Sequence, residues 1–192
     1  MAIQSVTHLR VEQYLEIERA AEFRSEYIDG GMVAMAGGGR NHALIVAAAG
    51  ARLYEQLRGK PCAVAGTDLR VFCEPAQVLT YPDIVVFCEP AKFLDGDADT
   101  LVDATVILEV LSRSTQNYDR GEKFRSYRGL PSFREYVLLA EDEIRAEHHV
   151  RQPDGSWLFR ELNGPEIEIK LDSIGCRLTL GSLYERAEFQ TA

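Results

Sequence analysis

The stretch ATVILEVLS, residues 104–112, is almost continuously apolar and contains several β-branched side chains. A run of this kind is typical of a central strand that is covered on both faces of its sheet. Its single charged residue is Glu109, and a second strand-like run, YPDIVVF at residues 81–87, also has one acidic residue, Asp83. Because an isolated buried carboxylate is very costly, each acid is expected to be paired, hydrogen-bonded or bound to a metal ion.

A short helix and a hairpin are predicted near the beginning of the chain. Residues 11–20 place apolar side chains at helical spacing, with Glu18 at one position of the stripe. In SEYIDGGMVAMA, residues 25–36, the pair Asp29-Gly30 lies between two apolar arms, which is a turn signal for a β-hairpin. The next residues, GGGR at 37–40, lack the lysine and hydroxyl residue of a phosphate-binding loop and are interpreted as a turn.

The longest predicted helix covers residues 41–59. Asn41 is a favourable N-cap residue, and Gly59-Lys60-Pro61 is a stop signal. Apolar residues that recur near helical intervals predict that the buried stripe of this helix consists of Leu44, Ala48, Ala51 and Leu57.

The remaining pattern consists of short strands, one further helix and edge hairpins. AVAG and LRVF are strand-like runs, and residues 114–131 predict a loop and a helix. The strand FREYVLLA at residues 133–140 is followed by three alternating segments that end at residue 171. The sequence therefore predicts an α/β (α+β) fold, in which a mixed β-sheet is flanked by helices and extended by extra β-hairpins.

The length of 192 residues allows one substantial hydrophobic core. We therefore predict a single domain over residues 1–192. Within it we expect an N-terminal helix and hairpin at 1–40, a central core at 41–140 and C-terminal β additions at 141–192.

Charge and hydropathy limit the possible partners and location. The net charge of −9 argues against a surface that binds nucleic acid nonspecifically, although residues 112–134 contain six basic and two acidic residues. That excess leaves room for a local basic cleft. No apolar run approaches the roughly 20 residues of a membrane span, and residues 1–20 lack the order of a signal peptide. A cytoplasmic protein without membrane association is expected.

The four cysteines show no metal-binding or redox spacing. Cys62, Cys73, Cys88 and Cys176 lie mostly in apolar strand-like runs, so buried reduced thiols are predicted in preference to a disulfide or a zinc site. For the same reason, a cysteine-based redox enzyme has little support.

The two acids Asp83 and Glu109 lie on strands that can be neighbours in one sheet. Two close carboxylates repel each other unless they share a proton or a cation, and hard oxygen ligands select Mg²⁺ or Mn²⁺. The alternative is that each acid is solvated or paired with an arginine.

A lysine on the following helix adds to the metal-site hypothesis. Asp119, Lys123 and Tyr127 are spaced by four, so their side chains lie along one helical face. A lysine beside a bound metal can orient an attacking water or neutralise charge on a phosphate. The alternative is a solvated lysine that pairs with Asp119.

The ordered set YPDIVVF, VILEVLSRST and YDRGEKFRSYRGLPSFREYVLL resembles the PD-(D/E)XK nuclease superfamily, and specifically its Uma-two branch. The similarity extends over nearly the whole chain, from RSEYIDGGMVAMAGGGRNHALI to the SLYE near the end. One departure is that Leu111 occupies the position of the usual lysine, two residues after the acid. In this branch the lysine function is supplied from the next helix, where Lys123 lies.

The resemblance implies a restriction-endonuclease-like fold, with residues 41–140 as the nuclease core. It also implies that Asp83 and Glu109 bind Mg²⁺ or Mn²⁺, with Glu26 as a further ligand. Glu26 and His42 fall on other polar positions of the branch, where they complete the metal shell or position water or phosphate. Their alternatives are a solvated hairpin glutamate and a helix-capping histidine.

Two functions from different classes follow. The first is a metal-dependent endonuclease that hydrolyses phosphodiester bonds of nucleic acid, most simply DNA, and acts as a homodimer. Its predicted catalytic residues are Asp83, Glu109, Lys123 and Glu26, and its predicted substrate-binding residues are His42, Arg113, Arg120 and Tyr127. For Tyr127 a packing role is the alternative. The second function is a noncatalytic dimeric binding or regulatory module on an inherited nuclease fold.

Overall fold

The computed structural model describes residues 8–35, 37–96 and 98–189. Residues 1–7 of the predicted N-terminal segment and residues 190–192 of the predicted C-terminal additions lie outside the described residues. The run at residues 104–112 forms strand β8, Val106–Leu111, and all of its residues are buried. The prediction of a central strand covered on both faces is therefore confirmed.

The main sheet has six strands and is mixed. β8 runs parallel to β9 (Glu135–Ala140) and antiparallel to β6 (Ile84–Cys88). The order across the sheet is β11 (Trp157–Asn163), β10 (Arg145–Arg151), β9, β8, β6 and β3 (Cys62–Gly66).

A second sheet has five strands and contains the predicted N-terminal hairpin. Its order is β2 (Gly31–Ala34), β1 (Ser25–Ile28), β5 (Val78–Thr80), β4 (Arg70–Cys73) and β7 (Thr100–Leu101). In the turn between β1 and β2, Asp29 and Gly30 both have positive φ, at 44° and 87°. This conformation suits a two-residue hairpin turn and explains the Asp-Gly pair. A separate two-stranded hairpin consists of β12 (Glu168–Leu171) and β13 (Cys176–Thr179).

Helices cover both faces of the main sheet. On one face α2 (Arg40–Leu57) packs together with the β12–β13 hairpin and α5 (Leu180–Leu183). On the other face lie the five-stranded sheet and a helical segment that consists of α3 (Gln116–Tyr118), a π-helical turn (Asp119–Lys123) and α4 (Phe124–Arg128). The first helix, α1 (Val11–Ala20), packs on the five-stranded sheet through Tyr14 and Leu15. The predicted α+β architecture of a mixed sheet between helices is confirmed.

The predicted buried stripe of α2 is right at Leu57 and wrong at its other three positions. The residues that α2 buries are Ile45, Ala49, Leu53 and Leu57. Leu44, Ala48 and Ala51 instead line a groove beside α5. The sequence of α2 is rich in alanine on several sides, so apolar spacing alone does not distinguish neighbouring faces.

The predicted cap of α2 is also wrong. The helix begins at Arg40 with Gly39 as its N-cap residue. The Asn41 side-chain amide instead donates to the backbone carbonyls of Glu141 and Glu188, at 3.1 and 2.9 Å. Partners from distant parts of the chain, which the local sequence cannot reveal, therefore determine the role of Asn41.

The predicted state of two cysteines is overturned. Cys62 and Cys88 are directly opposite each other in the β3–β6 ladder and form a disulfide. Cys73 and Cys176 are buried free thiols, as predicted. The disulfide depends on strand register, because the two cysteines are 26 residues apart in the sequence.

Within the described ranges, no helix is both long enough and apolar enough to cross a bilayer. The division of the chain at residues 40 and 140 stays a prediction.

A buried arginine joins the five-stranded sheet to the loop before β7. Arg70 is 4% exposed and forms an ion pair with Asp99, which also accepts two hydrogen bonds from Arg19, both at 2.9 Å. The Arg19 guanidinium and then Arg70 hold the pKa of Asp99 well below its usual range, although partial burial opposes them. Asp99 is therefore ionised while the fold is intact.

We predict that Asp99→Asn lowers the free energy of unfolding at pH 7 by about 1–2 kcal/mol, because a buried guanidinium loses its charged partner. A carboxyl group whose pKa is lower in the folded state stabilises the fold above its unfolded-state pKa, and this stabilisation is lost as the pH falls. The difference in free energy of unfolding between wild type and variant should therefore shrink below about pH 4. Urea denaturation at a series of pH values measures both effects. The exposed Asp142→Asn is the control, and a constant difference down to pH 3 would contradict the assignment.

Candidate functional site

The register of two neighbouring strands brings Asp83 and Glu109 together. In the β6–β8 ladder Ile84 is opposite Leu108, so the next position along places Asp83 beside Glu109. The backbone N–H of Asp83 donates to Oε2 of Glu109 at 3.1 Å. The N–H of Val110 donates to Oδ2 of Asp83 at 2.8 Å. These reciprocal bonds hold both carboxylates at one end of the strand pair, so the two acids are neighbours and not the separately solvated or arginine-paired groups of the alternative.

Lys123 lies at the centre of a buried group of acids. Its Nζ is 2.8 Å from Oε1 of Glu109, 3.5 Å from Oε1 of Glu26 and 3.7 Å from Oδ1 of Asp119. The Lys123 side chain is 7% exposed. The lysine therefore has the predicted partner Asp119 but is not solvated, because it also neutralises acids from two other elements.

A local widening of the helix accompanies this placement. Residues Asp119–Lys123 form a π-helical turn between α3 and α4. Such turns are uncommon and frequently lie at functional sites. Tyr127, one turn further on, donates its hydroxyl to Oε1 of Glu109 at 2.9 Å. The helix thus supplies both a cation and a hydrogen-bond donor to the same carboxylate.

Burial and neighbouring charges together shift the pKa values in this cluster. Burial raises the pKa of Glu109 to about 8; Asp83 and Asp119 add to this effect, and Lys123 opposes it. Burial also raises the pKa of Asp119. For Lys123 burial acts to lower the pKa, but Glu109, Glu26 and Asp119 together raise it above its usual range. The site therefore holds more acidic groups than its cation can neutralise.

His42 approaches the acids from the first turn of α2. Its Nε2 is 3.1 Å from Oδ2 of Asp83, and this hydrogen bond raises the pKa of the imidazole despite partial burial. A Cβ atom at Gly38 would lie 2.5 Å from Nδ1 of His42, so a larger residue there would displace the ring. The glycine run before α2 thus makes room for His42, which is bound to an acid and does not cap its helix.

A cavity of about 340 Å³ opens onto the cluster. Its polar side is lined by residues that include Glu26, His42, Asp83, Glu109 and Lys123. These five side chains include all of the predicted catalytic residues, and they come from the hairpin, α2, the start of β6, β8 and the π-helical turn. The tertiary structure therefore brings together residues that span nearly a hundred positions of sequence.

Three predicted substrate-binding residues lie outside this cavity lining. Tyr127 is fully buried and contacts Glu109. Arg120 donates to Glu147 at 2.7 and 2.9 Å. Arg113 is exposed and lines a separate small depression beside Arg120. Tyr127 thus has the packing role that was its alternative, and its hydroxyl also binds Glu109. Arg120 forms an ion pair with Glu147 of β10.

Tyr118 is a site residue that the sequence reasoning missed. It lines the cavity together with Glu26. Burial, followed by the charge of Glu26, raises the pKa of its hydroxyl. Its position directly before Asp119 is the one sequence signal that relates it to the site, because helical spacing from Lys123 does not select it.

The chain matches a known protein family over most of its length. The model of the Uma2 (Uma-two) family, which is described as a putative restriction endonuclease, matches residues 11–181. The chain belongs to the Uma2 family. Two uncharacterised proteins from Synechocystis are each 30% identical to it; the first match covers 88% of this chain and 96% of the relative, and the second covers 94% of each.

A solved structure shares the fold of this Uma2 protein. It is the crystal structure, at 1.96 Å resolution, of a putative nuclease belonging to DUF820 from Anabaena variabilis. The TM-score is 0.74 with 17% sequence identity, and the match covers 92% of this chain and 98% of the other. At that identity the likeness shows the restriction-endonuclease-like fold.

The donor chemistry of the Uma2 site suits a hard divalent cation. Carboxylate oxygens are the ligands that Mg²⁺ and Mn²⁺ prefer, and the surplus of buried acids over cations would be relieved by added positive charge. Among the described residues, however, no three His, Cys, Asp or Glu side chains are already arranged around one metal position. Side chains that now bond to each other would therefore have to turn toward an incoming ion.

We predict that Lys123→Met in metal-free protein lowers the free energy of unfolding at pH 7.5 by about 3 kcal/mol or more, because the buried carboxylates lose their cation. The loss should be smaller near pH 5, where the carboxyl groups can protonate. Urea denaturation in the presence of a chelator measures it.

The control for this variant is Lys170→Met, which removes an exposed lysine of β12. Adding Glu109→Gln to Lys123→Met should recover part of the lost stability, since it removes one of the unpaired charges. Equal stability of Lys123→Met and the control would contradict the buried ion cluster.

Proposed function

We propose that this protein is a metal-dependent endonuclease that hydrolyses phosphodiester bonds of DNA. The observation that carries the proposal is the buried cluster in which Asp83, Glu109 and Lys123 meet at the base of an open cavity. Membership of a family described as a putative restriction endonuclease supports the reaction class. The fold alone would not support a reaction class, since one fold is used for many functions.

Asp83 and Glu109, with Glu26 and the backbone carbonyl of Val110, would hold Mg²⁺ or Mn²⁺. When bound, the ion supplies Lewis-acid stabilisation of phosphate charge and makes a bound water more acidic. The reciprocal hydrogen bonds between the two strand ends keep the main acids in a fixed relation. Because the strand ends are already fixed, only side chains would have to turn toward the ion, which lowers the cost of arranging the site.

Lys123 and His42 are the cationic groups next to these acids. Lys123 would orient the attacking water or bind a nonbridging phosphate oxygen, since its ammonium lies 2.8 Å from Glu109. His42, hydrogen-bonded to Asp83 and partly exposed to the cavity, would position the phosphate on the other side. Tyr127 would hold Glu109 in place from beneath through its hydroxyl.

We expect Asp83→Asn and Lys123→Gln each to reduce metal-dependent nicking of a supercoiled plasmid by at least about 100-fold, because each removes charge at the reacting phosphate. The matched control is Asp142→Asn, an exposed acid away from the cavity. Circular dichroism and urea denaturation establish that each variant is folded. Cleavage by folded variants at the wild-type rate, or undiminished cleavage in excess chelator, would refute the proposal.

A noncatalytic binding module is the second candidate, and a specific observation favours it. Both oxygens of Glu109 and Oδ2 of Asp83 already accept hydrogen bonds from protein groups, which is also the arrangement of a purely structural cluster. Calorimetric titration of Mg²⁺ and Mn²⁺ into wild type and Asp83→Asn separates the candidates. Binding that the variant loses supports the nuclease, and its absence even with DNA present favours the module.

Homodimerisation belongs to the same proposal, because cleavage of two strands requires two sites. Light scattering of the purified protein at several concentrations tests it.

A further inference from the structure

The cavity above the acid cluster has one wall that is apolar. In the β1–β2 hairpin Glu26 is directly opposite Val33, so both side chains lie on the same face. Ile28 and Met35 follow on that face at two-residue spacing. All four residues line the cavity. The same hairpin face thus supplies an acid to the cluster and a hydrophobic surface beside it.

This apolar wall is exposed, whereas the charged groups are recessed. Val33 and Met35 are 50% and 36% exposed. In contrast, the side chains of Glu109 and Lys123 are 3% and 7% exposed. Exposed apolar side chains beside a polar recess fit a ligand that has a charged part and a flat apolar part.

The recess suits a single strand of nucleic acid better than a duplex. A duplex carries its phosphates on a regular outer surface and is gripped through many Lys and Arg contacts. The cationic side chains that line this cavity, among the described residues, are His42 and Lys123. The nearby Arg40 is already paired with Glu188 at 2.7 Å, and Arg24 with Asp68. A flexible strand, in contrast, can bend one phosphate into a recess.

We infer that the cavity takes a single-stranded segment of nucleic acid, with a phosphate directed at the acid cluster and the adjoining base against Ile28, Val33 and Met35. The inference rests on the proposed function, because the same cluster would cut the strand. Unpaired bases expose flat faces that pack on apolar and aromatic side chains, which favours single strands in such sites. Tyr118 adds an aromatic ring to the lining.

Binding and cleavage are measured separately to test this inference. One fluorescent oligonucleotide without internal pairing is presented as DNA, as RNA and as DNA annealed to its complement. Affinity is measured by anisotropy in Ca²⁺, and cleavage in Mg²⁺ and Mn²⁺. We expect at least one single strand to bind about tenfold or more tightly than the duplex, a difference of the size that one packed base provides. Comparison of the DNA and RNA forms of the oligonucleotide shows which of the two nucleic acids the site prefers.

A pair of variants on one strand tests the apolar wall. Val33→Glu places a carboxylate on the cavity face and should weaken single-strand binding about tenfold, since it replaces base packing by charge repulsion. Met32→Glu changes a residue of similar exposure, 37% against 50%, on the opposite face of β2 and should leave binding unchanged. Met35→Glu serves as a second wall variant if Val33→Glu does not fold.

Equal or tighter binding of the duplex overturns the inference, and so does single-strand binding that no wall variant weakens. Single-strand preference without cleavage would reject the proposed nuclease activity but support the inferred ligand. Cleavage with duplex preference would do the reverse, so the two failures are distinguishable.

Discussion

The buried ion pair between Glu109 and Lys123 is the interaction on which the site depends. Taking a carboxylate and an ammonium out of water costs several kcal/mol for each ion, which is recovered only when geometry and further hydrogen bonds are good. Here Glu109 is bound by three groups: the Lys123 ammonium at 2.8 Å, the Tyr127 hydroxyl and the backbone N–H of Asp83. The protein accepts this cost in the middle of a strand that is otherwise apolar. A surrounding core that fixes both backbones makes the arrangement possible.

The topology of the main sheet explains how the two ions meet. β8 and β9 are parallel neighbours, so the chain must cross over one face of the sheet between them. That crossover contains the π-helical turn, and it passes over the face on which Glu109 projects. The antiparallel partner β6 then brings Asp83 to the same end of the sheet. The proximity of Asp83, Glu109 and Lys123 is thus a consequence of the strand order in the main sheet.

The five-stranded sheet gives the site its shape. Its hairpin contributes Glu26 to the acids and Val33 to the open wall, so one small element sets both the charge and the hydrophobicity of the cavity. The chain has a net charge of −9, and Arg24, Arg40 and Arg120 each form an ion pair with an acid. A net negative charge of this size opposes nonspecific binding of nucleic acid.

The sequence by itself determined the central strand, the Asp-Gly hairpin, the residue types of the acid cluster and the family. These signals are local: an apolar run, a turn dipeptide, and ordered motifs with fixed spacing. Tertiary structure decided which face of α2 is buried, what Asn41 binds, which cysteines pair, and that Tyr118 joins the site while Arg120 does not. Each of those outcomes depends on a partner far away in the chain, such as Glu147 for Arg120 or Cys88 for Cys62. Strand register and helix packing bring such partners together, and no local pattern of side chains encodes them.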